Sequence, residues 1–78
     1  MALLGREVKV VFYDHSQNLG KVLCIVYGLV TREDKTTVDI TSWDTPETEA
    51  DRETFTILKS TIEEIYTAKL KVIRWKRP

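Results

Sequence analysis

Cysteine, histidine, glycine and proline are all scarce in this chain, and each scarcity excludes something. The 78 residues contain one Cys and one His, so neither an internal disulfide nor a zinc site of the usual cysteine and histidine kind can be built. A lone thiol fits a reducing compartment. Three Gly and two Pro beside 42% hydrophobic residues are too few for a linker, a collagen-like repeat or a disordered segment. No apolar run approaches the roughly 20 residues of a membrane span, and residues 1–5 hold no apolar core long enough for a signal peptide. These absences predict a soluble, cytoplasmic protein with no membrane partner. Gly-rich phosphate loops and nucleotide fingerprints are missing too, so no cofactor is expected.

Twelve basic and twelve acidic side chains cancel, leaving no overall field to draw in a polyanion. Their distribution is uneven. Residues 41–64 carry seven acids against Arg52 and Lys59, whereas residues 65–78 carry Lys69, Lys71, Arg74, Lys76 and Arg77 and no acid. The chain length allows one domain, which buries only roughly 60% of the surface its unfolded form exposes.

Strand patterning runs through the sequence. Residues 7–13 put Val8, Val10 and Phe12 on one face. The turn formers of residues 14–20 predict a reversal there. Residues 22–30 are apolar apart from Gly28, with the β-branched and aromatic content of a strand whose faces both need cover, and Gly28 suggests a bend. Arg32-Glu33-Asp34-Lys35 reads as a charged hairpin turn, and residues 36–43 as a strand with Thr37, Asp39 and Thr41 on its wet side. Residues 44–52 form an exposed acidic loop. In the last third, Phe55 and Ile57 alternate as in a strand. Lys59-Ser60-Thr61 then reads as a tight turn into a further strand, with a capped helix from Ser60 as the rival. Five short strands suggest a closed barrel with Val10, Phe12, Ile25, Val38, Ile40, Ile57 and Ile62 as its core.

Phe55-Thr56-Ile57-Leu58-Lys59-Ser60-Thr61-Ile62 resembles the second conserved segment of the Sm-like fold as the Hfq RNA chaperones carry it. More closely, the chain resembles small phage-encoded Sm-like proteins. The shared features are Phe-Tyr-Asp-His-Ser at residues 12–16, Cys24 four residues before Gly28, Ser-Trp-Asp at residues 42–44, and Ile-Leu-Lys-Ser followed by Ile62. The resemblance spans about residues 8–70. It implies an all-β, five-stranded Sm-like or SH3-like barrel over residues 7–72, between a lead at 1–6 and a basic tail at 73–78, assembling into a ring through its edge strands. It also implies the host cytoplasm as the place of action. The Asp-hydrophobic-Asn signature of the uridine pocket is missing, the N-terminal helix has no room, and the Lys-His pair of Hfq is Lys59-Ser60 here.

No catalytic residue is assigned. Asp14-His15-Ser16 contains the residue types of a hydrolase triad, but sequence neighbours do not reach the nucleophile-base-orienter geometry. Cys24 sits among apolar neighbours, the setting of an inert thiol. Asp44, Glu47, Glu49 and Asp51 lack the Gly-containing spacing of a calcium loop, so no metal is assigned. Two function classes stay open. One is a non-enzymatic structural module that binds itself and a protein partner. The other is a ring that binds RNA or DNA through Lys59, Ser60, Trp43, Lys69, Lys71, Arg74 and Trp75, the lysines meeting phosphate and the indoles stacking on bases. The plain alternative for Lys59 is a solvated turn residue paired with Glu63.

Overall fold

The computed structural model describes residues 2–16, 20–43 and 52–77. Five antiparallel strands make one sheet: β1 (Glu7–Ser16), β2 (Gly20–Glu33), β3 (Thr37–Trp43), β4 (Glu53–Leu58) and β5 (Ile62–Ala68). The order across the sheet is β4-β3-β2-β1-β5. The β-rich reading holds, and the tight turn at Lys59-Ser60-Thr61 is a single 3-10 turn leading into a strand, not a capped helix.

Three expectations are corrected. First, the sheet is not closed into a barrel: β4 and β5 are its two edges. Successive antiparallel pairings make β4 and β5 run in the same sense, and the three-residue turn between them is far too short for the crossover that parallel neighbours need. Second, β1 runs to Ser16, three residues beyond the strand expected at 7–13, with Ser16 paired to Gly20 inside the segment where the reversal was expected. Third, Ile25 is not in the core but 53% exposed. Val26 and Val30 are buried on one face of β2, so the odd-numbered residues point the other way. Of the acidic loop expected at residues 44–52, all but Arg52 lies outside the described residues, together with Asp44, Glu47, Glu49 and Asp51.

The inner face gathers Val8, Val10, Val26, Val30, Val38, Ile40 and Ile57, with Phe12, Ile62 and Ile65 packed against them. Burying each such side chain contributes about 1.5–3 kcal/mol. Leu3 joins this core from the lead through a turn: the Arg6 N–H donates to the Leu3 carbonyl at 3.0 Å, and Gly5 takes the left-handed φ of 81° that the turn requires. The Gly5 N–H then donates to the Val30 carbonyl and the Val30 N–H to that of Arg6, both at 2.9 Å.

Gly28 lets the sheet curl. A Cβ there would sit 2.5 Å from the Thr41 carbonyl oxygen and 2.9 Å from Ile40 Cγ2, so β3 crosses β2 where there is no room for a side chain. A register shift between Val30 and Arg32 adds to the bend. The curl brings β4 opposite β1, where Phe12, Tyr13 and Asp14 face Thr54–Leu58 across an open groove.

Candidate functional site

The outer face of the sheet has two halves of opposite character. On the β3 and β4 half, Arg32 donates from Nε to Asp39 Oδ2 at 2.8 Å, from Nη1 to Asp34 Oδ2 at 2.6 Å and from Nη2 to Thr37 Oγ1 at 2.7 Å. Thr56 Oγ1 donates to Asp39 Oδ1 at 2.7 Å, and Asp34 Oδ1 accepts the backbone N–H groups of Thr36 and Thr37. Those two N–H groups, with Arg32, hold the Asp34 carboxyl well below its ordinary range. The Arg32 guanidinium likewise lowers Asp39. Beside this network, the Thr41 hydroxyl sits 2.9 Å from both the Thr31 and the Thr54 hydroxyl, which explains how a threonine on the expected wet side is buried. The polar groups of this half find partners inside one chain, while Trp43 of β3 and Leu58 of β4 stay exposed.

The β1, β2 and β5 half partners its tyrosines in part and leaves a row of apolar side chains exposed. Leu23, Ile25, Tyr27 and Leu29 of β2 and Tyr66 of β5 are exposed. Lys9 stands 5.0 Å from the centroid of the Tyr66 ring and Lys21 4.1 Å from that of Tyr13. The Tyr66 hydroxyl donates to Glu64, which raises its pKa. The unbroken apolar run of residues 22–30 signalled a second face in need of cover; the tyrosines that extend it onto β1 and β5 carried no such signal.

The nucleic-acid candidates fall in three separate places. Lys59 and Ser60 follow β4 at the β2–β3 hairpin end, where the Lys59 N–H donates to the Thr36 carbonyl at 2.8 Å. The Lys59 ammonium donates to Glu33 Oε2 at 2.7 Å, so its partner is Glu33, not Glu63. Glu33 Oε1 accepts the Leu3 N–H at 2.8 Å, which makes the carboxylate a clamp between lead and turn. Lys59 and then the Leu3 N–H hold the Glu33 pKa below the ordinary 4.5. Trp43 stands exposed at the opposite end of β3, paired with Glu53. Lys69, Lys71, Arg74 and Trp75 lie on the exposed tail after β5, which leaves the sheet where Ala68 pairs with Glu7.

Cys24 is half-buried, its thiol directed at the Val22 carbonyl 3.7 Å away. Among the described residues no three His, Cys, Asp or Glu side chains group as a metal site would need, and no helix is long and apolar enough to cross a membrane. No protein-family model, curated protein or solved structure matches the chain.

Proposed function

We propose that this chain is a non-enzymatic, Sm-like assembly module whose copies join into a ring and present a composite surface to a protein partner. The observation that carries the reading is the exposed row of Leu23, Ile25 and Tyr27 on one half of the outer face, beside a half whose polar groups are hydrogen-bonded within the chain. A small sheet that leaves Ile25, Tyr27 and Tyr66 in water is incomplete as a monomer. The edges support the same reading. Among the described residues, β4 and β5 each have one edge without a strand neighbour, and pairing β4 of one copy with β5 of the next would satisfy both. The resemblance to small phage-encoded Sm-like proteins agrees with such a ring. Size-exclusion chromatography with light scattering tests it: a multiple of the 9.1 kDa chain mass is expected, and a monomer at micromolar concentration would overturn it.

Exposure of the tail's bases and of Trp75 favours a second reading, a ring that binds RNA or DNA. Lys59 fits it poorly, because its ammonium already holds Glu33. Anisotropy of labelled single-stranded RNA at two salt concentrations decides between them. Phosphate contacts give steeply salt-dependent binding that is lost when the tail bases are changed to Gln, and the assembly module gives none.

A further inference from the structure

The apolar row of the outer face lies on one strand, and that strand is the middle of the sheet. Leu23, Ile25, Tyr27 and Leu29 alternate along β2, which has two strands on either side. The sheet curls around the core on its other face, so the outer face is convex and β2 is what a second body meets first.

Charge around the row is balanced. Among the described side chains, the carboxylates of Glu7 and Glu64 are offset by the ammonium groups of Lys9 and Lys21. A neutral face has no field to draw in a polyanion or a strongly charged protein, whereas a copy of itself is a neutral partner. A two-fold contact between copies needs a patch that is complementary to itself. The row meets that demand. Leu29, four positions beyond Ile25, is paired with Glu7, and Lys21 lies four positions before Ile25. An anion therefore marks one end and a cation the other, with Ile25 midway. Rotating a second copy by half a turn about an axis that crosses β2 at Ile25 sets Lys21 of each copy at the Glu7 end of the other. The same rotation lays Leu23 over Tyr27 and Ile25 over Ile25. Sheets packed face to face stand about 10 Å apart, a gap that a lysine and a glutamate side chain span from opposite sides.

We propose that two copies pack back to back through their outer faces, β2 antiparallel to β2 about a two-fold axis at Ile25, with Lys21 of each copy meeting Glu7 of the other. The inference rests on the assembly reading and names the part of the second copy that covers the apolar row. Glu7 and Lys21 give the test, because they cannot meet inside one chain: Lys21 pairs with His15, eight β1 positions from Glu7, which is about 26 Å at about 3.3 Å per residue. At low salt, Glu7→Lys and Lys21→Glu should each weaken association about tenfold in sedimentation equilibrium, since each sets like charges together at both ends of the contact. The double variant carrying both reversals should return to within about threefold of the parent. A double variant that associates no better than the single ones overturns the inference. Full-length chains carrying Cys24→Ala and Ile25→Cys should also join to one another through a short bismaleimide. Chains that join as readily through Thr56→Cys, on the polar half, overturn the inference as well. Native mass spectrometry separates the two claims, with an even number of 9.1 kDa chains expected. A monomer overturns the assembly reading and this inference together. An oligomer with an odd number of chains, or one whose Ile25→Cys copies do not join, overturns this inference alone, and a simple dimer that passes the charge-reversal test keeps it while overturning the ring. A chain carrying both Ile25→Cys and Trp75→Cys that closes on itself at high dilution gives the row to its own tail and overturns the pairing.

Discussion

The two halves of the outer face are built on the same sheet and share one hydrophobic core, yet only one is knit together by a polar network. Around β3 and β4, Arg32, Asp34, Asp39, Thr37 and Thr56 satisfy one another, and Thr31, Thr41 and Thr54 link hydroxyls across three strands. Around β1, β2 and β5 the exposed side chains are Leu23, Ile25, Tyr27 and Tyr66, with two lysines lying over tyrosine rings. A short chain cannot cover both faces of a curled sheet with its own residues. The difference locates the surface on which the proposed contact between copies depends: polar groups dominate one half, and exposed apolar side chains the other.

Substitutions can separate the two halves. The largest effect belongs to the core they share. Ile40 is fully buried, and Ile40→Ala is expected to cost about 2–5 kcal/mol in urea unfolding, weakening both halves together. Gly28→Ala comes next, at about 1–3 kcal/mol, because the new methyl meets the Thr41 backbone and the fully buried Ile40 side chain, neither of which is free to swing away. Thr41→Val tests the polar half by removing the hydroxyl between Thr31 and Thr54, with an expected loss of about 1 kcal/mol by the same measurement. On the apolar half, Ile25→Lys with Tyr27→Lys should change the unfolding free energy of the isolated chain by no more than about 0.5 kcal/mol per site while abolishing self-association.

What the sequence revealed follows the same division. Val8, Val10 and Phe12 share one face although Val11 and Tyr13 partly spoil the polarity of the other, and Val38 and Ile40 alternate with Thr37, Asp39 and Thr41, so both strands and their inward faces could be read. Residues 22–30 could be read as a strand but not oriented. With apolar side chains at odd and even positions alike, nothing local distinguished Ile25 from Val26, and Gly28, whose missing side chain admits β3, lies on the inward side. The run's need for cover on both faces could nevertheless be read. Lys59 stood out as a cation at a turn, but its partner Glu33 lies 26 residues away, a pairing that no local spacing encodes.

A smaller effect sharpens the contrast between an exposed cation and a structural one. The Glu33 carboxyl has a lower pKa folded than unfolded. Its contribution is therefore complete above the ordinary value of 4.5 and is lost as pH falls through the lowered folded value. Thermal melts from pH 7 to pH 3 should show a stability loss across that window that Glu33→Gln reduces. Lys59→Ala should reduce it too, because Lys59 supplies the first cause of the shift.

The central claim, that the apolar half of the outer face is a contact surface between copies, is tested most directly by sedimentation velocity. The parent should be compared with the Ile25→Lys, Tyr27→Lys double variant at equal micromolar concentration, with circular dichroism confirming that both are β-rich. The account predicts a parent sedimenting as a closed oligomer of 9.1 kDa chains and a folded, monomeric variant. A parent that sediments as a monomer, or a variant that assembles as the parent does, would contradict it.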